Sequence, residues 1–300
     1  MPAPNSVGHL AGHAARARAP VGAGPSGSAW GELPGPRRGP YEVPRRSALG
    51  PPGHTILAVQ PSPLPLDEST AGTDKGASPA PNYNVAPTTT VSTVVKRHTD
   101  PDDESTRRVR LMRWGLVPAW AKTTEGGGPD TKGPLLINAR SDRVTTSPAF
   151  RTSVKGKRCL VPMDGWYEWR GQKGAKTPFY MYAGDGEPLF MAGLWSTWRP
   201  REESGAPSSS SPLLSCTIIT TDSAGPLAEI HDRMPLTISE SDWDRWLDPD
   251  APIDEGLLRG HGDLDRIEIR EVSRLVNSIR NNGPELIEPA EPEPEQATLL

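Results

Sequence analysis

Residues 158–170 read RCLVPMDGWYEWR, and this stretch decides the class of fold. Its two halves, residues 158–163 and 166–170, are rich in residue types that favour β-strands. The Asp164-Gly165 pair between them is typical of a tight hairpin turn. We therefore predict two successive strands joined by a hairpin.

Strand-like runs continue on both sides of this stretch, whereas helical patterns are rare. We predict helices only at Ser147-Pro148, where an N-cap precedes a proline, and over residues 239–247. Because strands and helices do not alternate regularly, the pattern disfavours a doubly wound parallel sheet. It predicts an α+β fold, a single mostly antiparallel β domain that is curled or barrel-like, with peripheral helices. The further predicted strands are residues 90–97, 109–114, 178–182, 189–198 and 213–221.

Composition divides the chain unevenly. It has 300 residues, of which 35 are Pro and 30 are Gly. Residues 1–80 hold 14 of the prolines and 12 of the glycines, so they cannot bury enough apolar surface to offset the entropy of ordering. We predict a disordered arm at 1–80, in which the apolar run 55–59 forms one strand at most. The folded domain is predicted at 81–290 and an acidic tail at 291–300.

Several classes of protein are disfavoured by the same residues. No run approaches the ~18 apolar residues of a membrane span, and no secretory signal precedes the domain. The two cysteines, Cys159 and Cys216, form no CxxC pair, which excludes a disulfide framework or a zinc ribbon. We expect a reduced cytoplasmic protein, a monomer, with no membrane partner, no metal and no cofactor.

Charge is distributed asymmetrically along the chain. The formal net charge is −4, which argues against a protein that coats duplex DNA. Residues 81–170 nevertheless hold 15 basic and 9 acidic residues, against 11 and 23 in residues 171–300. The middle segment can therefore hold a short stretch of phosphates, although ordinary solvated surface explains the same charges.

Polar residues interrupt apolar sequence at several places. Asn138 and Arg140 follow the run LLI, and in an extended chain they share one face, where an amide and a guanidinium would clamp an oxyanion or a phosphate. The alternative is a surface Arg140 paired with Asp142 or Asp164.

Two further positions have ionisable side chains in restricted surroundings. Glu168 lies between two aromatic residues, and burial there would raise the pKa of its carboxyl and suit it to acid–base catalysis. The alternative is the solvent-facing half of an alternating strand. In the IHDRMP segment, His231 can shuttle protons and Arg233 can hold an anion, or the segment is a loop with a satisfied histidine.

Two more stretches carry residues suited to a binding cleft. Tyr83, Asn84 and Pro87 combine strand-forming and turn-forming residue types, which is also what a simple strand-entry turn requires. Trp120 lies in a loop, PAWAK, and an exposed loop tryptophan can stack on the bases of single-stranded nucleic acid.

Taken in order, these stretches resemble the SOS-response-associated peptidase (SRAP) family of abasic-site-processing proteins. The resemblance covers roughly residues 80–290. The matching blocks are residues 83–88 (YNVAPT), 113–120 (RWGLVPAW), 138–142 (NARSD), 159–169 (CLVPMDGWYEW), 230–235 (IHDRMP), 272–277 (VSRLVN) and 283–287 (GPELI).

The resemblance implies a domain that binds single-stranded DNA at abasic sites in a positively charged cleft, and that associates with the nucleoid when bound. It implies a thiazolidine crosslink between the lesion aldehyde and an N-terminal cysteine, and a latent peptidase-type self-processing activity. By the same resemblance Asn138 holds the nucleophile and the sugar, Glu168 is the acid–base carboxylate, and His231 opens the sugar ring. The resemblance also implies that Arg140 and Arg233 hold the flanking phosphates and that Trp120 braces the DNA. The cleft would be lined by Tyr83, Asn84 and Pro87.

One feature departs from the family. The sequence begins Met1-Pro2-Ala3 and has no cysteine before Cys159. Three explanations are open: a shifted start, a relative that binds DNA without crosslinking, or a different nucleophile. A non-covalent single-stranded DNA-binding module therefore stands as the alternative function, and a hydrolase that pairs Cys159 or Cys216 with His231 as a third.

Overall fold

The computed structural model describes residues 57–60, 81–100, 102–172, 174–201 and 211–291. The predicted tail from residue 292 and most of the predicted arm lie outside these residues. In chain order the described strands are β1 Leu57–Gln60, β2 Asn82–Val85, β3 Thr90–Arg97, β4 Thr106–Trp114, β5 Asn138–Arg140, β6 Arg158–Met163, β7 Gly165–Arg170, β8 Thr177–Ala183, β9 Leu189–Trp198, β10 Leu213–Asp222, β11 Arg233–Pro235 and β12 Ile267–Glu271.

Five of these strands form a closed ring. The order is β10-β4-β3-β6-β9, and β9 pairs with β10 to complete it. The neighbours are antiparallel except for β4 and β10, which are parallel. Two short strands extend the ring beside the C-terminal half of β10, β5 in parallel and β11 antiparallel. The predicted barrel-like, mostly antiparallel fold is thereby confirmed.

The other five strands form a second antiparallel sheet in the order β12-β8-β7-β1-β2. One hydrophobic cluster joins the two sheets, since it includes Trp166 and Met181 of the sheet together with Met112, Met163 and Met191 of the ring. Burial of this shared apolar surface stabilises the packing of the sheet on the ring.

The helices are short and peripheral, as predicted. A 3₁₀ turn at Glu240–Asp242 leads into α1, Trp243–Leu247, whose Trp243, Trp246 and Leu247 are buried against the ring. The second helix, α2, spans Glu255–Arg259 and is capped by Asp254, whose carboxylate accepts from two backbone N–H groups. No helix in the described ranges is long and apolar enough to cross a membrane.

Two local predictions change. Residues 147–152 form turns that lead into a 3₁₀ helix at Ser153–Lys155, where we predicted a regular helix. The predicted hairpin at Asp164-Gly165 is wrong, because β6 lies in the ring and β7 in the second sheet. A glycine is needed at position 165 because the backbone of β8 lies close to it, and not because the chain turns there. A Cβ there would lie 2.2 Å from the carbonyl oxygen of Met181 on β8.

Strand β1 lies within the segment for which composition predicted disorder. It pairs with β2 on one side and β7 on the other, so residues 57–60 belong to the folded sheet. The apolar run at 55–59, predicted to form one strand at most, overlaps this element. Pairing with two existing strands supplies the backbone partners that a Pro-rich and Gly-rich segment lacks on its own.

Candidate functional site

Asn138 is positioned by the backbone on both sides of it. The carbonyl of the preceding Ile137 accepts from the indole of Trp114 at 3.0 Å and from the N–H of Ile218 at 3.0 Å. In β5 Ala139 is fully buried, so strand alternation places Asn138 and Arg140 together on the opposite face, as the sequence predicted. The Oδ1 atom of Asn138 is buried and has no hydrogen-bond partner within the described residues.

Glu168 is only 3% exposed, and this excludes the solvent-facing alternative. It lies two residues after Trp166 on β7, so both side chains point to the face of the sheet that packs on the ring. Burial raises the pKa of the carboxyl well above its ordinary value. Its Oε1 atom has no hydrogen-bond partner among the described residues. A raised pKa favours the protonated carboxyl, which can donate a proton.

His231 follows a 3₁₀ helix at Gly225–Glu229 and directly precedes β11. The backbone N–H of Arg233 lies 3.0 Å from Nδ1 and donates to it in the neutral ring. When the ring is protonated, Nδ1 instead faces the Arg233 carbonyl at 3.0 Å and Oδ1 of Asp232 at 3.3 Å. Nδ1 therefore has a backbone partner at Arg233 whether it accepts or donates.

The two arginines assigned to phosphates are each held by an aspartate. Arg140 donates from Nε and Nη2 to the two carboxylate oxygens of Asp142, at 3.0 and 3.1 Å. Arg233 donates to the carboxylate of Asp222 and to the backbone carbonyl of Thr220. The structure thus contains the ion pair with Asp142 that the sequence offered as the alternative for Arg140.

Strand β10 brings two of the predicted site segments together, since it pairs with β5 at Ile218–Thr220 and with β11 at Thr220–Asp222. The pKa of Arg140 on β5 is raised first by its bond to Asp142, and further by the charges of Asp222 and Asp232. Burial is the main cause of the raised pKa of Glu168 on β7; the positive charge of Lys176 opposes it and the negative charge of Asp232 adds to it. The predicted residues of β5 and β11 are therefore neighbours at the C-terminal end of β10, and the charge of Asp232 acts on Glu168.

Tyr83 and Asn84 of the 83–88 block make hydrogen bonds within the domain. Asn84 is buried, and its Nδ2 donates to the backbone carbonyls of Val276, Ser278 and Asn281 at 3.1–3.2 Å. Tyr83 accepts at its carbonyl from the hydroxyl of Tyr167 at 2.8 Å. The Asn84 contacts connect β2 to the C-terminal part of the domain. Oδ1 of Asn84 is buried and has no hydrogen-bond partner among the described residues.

Pro87 lies in a tight turn after β2, and the turn is strained. Thr88, the next residue, has φ +77°, a left-handed conformation that a β-branched residue rarely adopts. The turn is held in place because Thr88 N–H donates to the carbonyl of Trp114 at 2.7 Å. Half-buried Pro87 therefore has a fixed position beside the strand that leads to the 113–120 block.

Trp120 is 64% exposed, as predicted for a loop residue. It lines a groove of about 510 Å³ that combines apolar walls with basic side chains. Sequence reasoning missed three cations that line the groove together with Trp120. They are Arg113, Lys122 and Lys132, and their spacing around the tryptophan is visible in the sequence. The groove is lined by residues 113, 116–118, 120–122, 130–136 and 149. Of these, Leu136 lies two residues before Asn138 in the sequence.

Neither cysteine has the environment of a nucleophile. Cys159 and Cys216 are fully buried in the ring. Burial raises the pKa of both thiols, that of Cys216 to about 12. A reactive cysteine needs an accessible thiolate, so neither side chain supports the hydrolase alternative. Within the described ranges no group of three or more His, Cys, Asp and Glu side chains could hold a metal ion.

Comparison with known proteins gives consistent matches. The profile of the family described as "SOS response associated peptidase (SRAP)" matches residues 53–279. The abasic site processing protein YoqW of Bacillus subtilis is 38% identical over 69% of this chain and 86% of its own length. The abasic site processing protein HMCES of Xenopus tropicalis is 34% identical over 68% of this chain and 65% of its own length. A crystal structure of a Bacteroides thetaiotaomicron protein superposes with a TM-score of 0.54 at 25% identity, covering 68% of this chain and 82% of that one.

Proposed function

This chain belongs to the SOS response associated peptidase family, and from that premise we propose that it binds single-stranded DNA at abasic sites and processes them in the DNA damage response. Seven buried side-chain polar atoms of the described residues have no hydrogen-bond partner. The proposal rests on two of them, Oε1 of Glu168 and Oδ1 of Asn138, because these belong to residues that the resemblance assigns to the chemistry. A buried polar atom left unpaired costs about 1–3 kcal/mol, so such atoms are retained where a ligand completes them.

The unpaired atoms define what the site accepts. An amide oxygen binds an N–H or O–H donor, so Asn138 suits an amine or a sugar hydroxyl. A neutral Glu168 carboxyl can donate its proton to a departing hydroxyl and then recover one from an amine. His231 can take the hydroxyl proton that is lost when the abasic sugar opens to its aldehyde. Together these three groups supply the proton transfers that aldehyde chemistry at C1 needs.

The covalent step requires one further group, a 1,2-aminothiol. Its amine attacks the aldehyde carbon, the carbinolamine loses water with a proton from Glu168, and the thiol adds to the resulting iminium ion. The thiol proton returns to Glu168 as the five-membered thiazolidine ring closes, and one water is released overall. A cysteine within a chain has an amide nitrogen, so only an N-terminal cysteine provides both nucleophiles.

The DNA strand on either side of the lesion is assigned to the remaining residues. Arg140 and Arg233 hold phosphates once these displace Asp142 and Asp222. Exposed Trp120 stacks on a base, a contact worth about 1–3 kcal/mol, in the groove that it lines. The protein acts on this strand as a monomer and is associated with the nucleoid while bound.

A non-covalent single-stranded DNA-binding module is the second candidate. Its supporting observation is that Cys159 and Cys216, the two cysteines of the sequence, are both buried. The binding residues and the acid–base residues are the same in both candidates, which differ only in whether an aminothiol reaches the site.

Both candidates require preference for an abasic strand, and fluorescence anisotropy tests it. The probes are a single strand with a tetrahydrofuran abasic analogue and the same strand with an intact base. We expect tighter binding of the abasic probe, and Asn138→Leu should remove most of that preference. Asp164→Asn is the control, because Asp164 is a partly buried polar residue to which the proposal gives no role. Equal affinity of the unmodified chain for both probes would refute the proposal.

A further inference from the structure

One end of the ring places Arg97, Lys157 and Trp195 side by side on neighbouring strands. Val95 on β3 pairs with Cys159 on β6, so the same register sets Arg97 opposite Lys157 two residues further along. The backbone N–H of Trp195 on β9 donates to the carbonyl of Lys157 at 2.9 Å, which continues the row. Because side chains alternate along a strand, these residues lie on the face that bears the hydrophobic cluster shared by the two sheets.

Both cations of the row lie over the same indole. The guanidinium carbon of Arg97 is 5.1 Å from the centroid of the Trp195 ring, and Nζ of Lys157 is 5.2 Å from it. Trp195 is only 3% exposed, so its ring cannot serve as a stacking surface for a base. A cation–π contact positions a cation but supplies no net negative charge. The two positive charges are therefore held close together by a neutral group.

The opposite face of the same strands shows how cations are neutralised elsewhere in the ring. Lys96 and Arg107, which pair across β3 and β4, both bond to the carboxylate of Asp244, at 3.1 and 2.9 Å. In contrast, Arg97 and Lys157 form no ion pair with any residue in the described part of the chain. The face that bears Arg97 and Lys157 therefore lacks the negative charge that the other face has.

Arg108 on β4 adds a third cation to this face, since it pairs with Val95. Its side chain is half-buried, and its guanidinium donates to the hydroxyls of Thr99 and Thr106, which are neutral partners. Arg97, Arg108 and Lys157 are here called the cation cluster.

The surroundings of Lys157 show that the cation cluster is short of negative charge. Burial lowers the pKa of the Lys157 ammonium, and the positive charge of Arg97 lowers it further. Like charges held together in partly buried surroundings cost free energy, and a bound anion would offset that cost.

The cation cluster is remote from the candidate site. Arg97 pairs with Thr106, the first residue of β4, whereas Trp114 is the last residue of that strand. The indole of Trp114 donates to the carbonyl of Ile137, next to Asn138. The nine residues of β4 span about 26 Å in extended conformation. The cluster is therefore separate from the site around Asn138.

We propose that Arg97, Arg108 and Lys157 form a binding site for a phosphate dianion, free or carried as a monoester by a small molecule. This site goes beyond the proposed function, which makes no use of this end of the ring. A guanidinium can donate to two phosphate oxygens at once, and an ammonium adds a point charge. A phosphate monoester carries about −1.5 to −2 charges at pH 7 and a carboxylate only one, so phosphate suits three cations better. Because Trp195 is buried, the site recognises the phosphate and not the group attached to it.

Isothermal titration calorimetry of the full chain at constant ionic strength tests the proposal with inorganic phosphate, adenosine monophosphate and adenosine. We expect inorganic phosphate and the monophosphate to bind with similar affinity, and adenosine not to bind. Arg97→Gln with Lys157→Gln should weaken phosphate binding about 10²-fold, since each charge-assisted hydrogen bond accounts for about tenfold. Arg108→Gln, which removes one cation, should weaken it about tenfold.

The matched control is Lys96→Gln with Arg107→Gln, which removes the same charge from the other face of β3 and β4. It should leave phosphate binding intact. No binding of inorganic phosphate by the unmodified chain, or equal weakening in the control and in the cluster variants, overturns the proposal. Binding of adenosine as tight as that of the monophosphate overturns it as well, because the phosphate would then not be what is recognised.

The abasic single-strand probe separates this site from the candidate site. Arg97→Gln with Lys157→Gln should keep the affinity of the unmodified chain for that probe, which also shows that the variant is folded. A parallel loss of affinity for phosphate and for the strand would make the cation cluster part of the DNA surface and overturn the proposal. Equal affinity for abasic and intact strands would refute the proposed function alone, because phosphate binding is measured without DNA.

Discussion

Arg158 and Glu168 are the two charged residues buried in the described part of the chain, and the fold surrounds them differently. Arg158 donates to the backbone carbonyls of Val154, Trp246, Asp248 and Ala251. Glu168 has an oxygen without a partner.

A buried charge whose three nitrogens all donate to backbone carbonyls connects parts of the structure, here the ring and the segment around α1. A buried acid with an unused atom is retained at a cost in stability, and the cost is explained if substrate completes it. The comparison therefore separates a structural residue from a functional one by its hydrogen bonds, since burial alone is the same for both.

The largest effect is expected from Arg158→Met. The change leaves four carbonyls without their donor, and breaking a buried charged network costs about 3–5 kcal/mol. Urea unfolding should show this loss in free energy of unfolding. A loss below about 1 kcal/mol would mean that the carbonyls find water and that Arg158 is not the connection inferred here.

Glu168→Gln should have the opposite effect on stability. Because burial raises the pKa of Glu168 in the folded state, the unfolded chain loses this proton first as pH rises, and the native state loses stability. The variant should therefore be more stable than the unmodified chain at pH 8, with the difference vanishing below the ordinary carboxyl pKa of about 4.3.

In function the same variant should lose about 10²-fold in the rate of any step that needs proton transfer. Thermal unfolding across pH and the crosslinking rate described below are the two measurements. A variant that is less stable at pH 8 yet fully active would place Glu168 with Arg158 as a structural residue.

Asn84→Ala should lower the free energy of unfolding by about 2 kcal/mol, an effect between those of the Arg158 and Glu168 variants. Its amide donates to three backbone carbonyls within residues 276–281, so the variant should also loosen that segment. Hydrogen exchange of residues 276–282 would show the loosened segment directly. Unchanged protection there would contradict the connecting role of Asn84.

The smallest effect is expected from substitutions at the exposed pair Arg140 and Asp142. Asp142→Asn removes the carboxylate that competes with phosphate for Arg140, so affinity for single-stranded DNA should rise about threefold. Arg140→Gln should lower it and flatten the salt dependence by about one unit of slope. Salt titrations of anisotropy separate the two variants. Weaker binding by Asp142→Asn would show that the aspartate orients the arginine for DNA.

Sequence alone predicted much of this fold because strand signals are local. The runs at 158–163, 189–198 and 213–221 each became a strand of the ring, since apolar and β-branched residues continue through them. The hairpin at Asp164-Gly165 was wrong because a turn signal does not show which sheet the next strand joins. Only the approach of Met181 reveals why Gly165 is needed.

The site was predictable in its residues and less so in its contacts. The Arg140–Asp142 pair lies two residues apart, so sequence could offer it as an alternative. The Arg233–Asp222 pair depends on the register of β10 and β11, which no local pattern encodes. Whether Glu168 faced solvent could not be decided, because Trp166 and Tyr167 on the two faces of β7 are both buried.

The most direct test of the claim that Asn138, Glu168 and His231 serve an N-terminal aminothiol is a denaturing gel of protein mixed with an abasic single strand. Two chains are compared, one with the printed sequence and one in which a leader beginning Met-Cys-Gly-Arg replaces the residues ahead of Leu57, so that strand β1 is kept. We expect a heat-stable shifted band from the cysteine-led chain, formed about 10²-fold more slowly with Glu168→Gln, and none from the printed sequence. A heat-stable band from the printed sequence, or none from the cysteine-led chain, would contradict the claim.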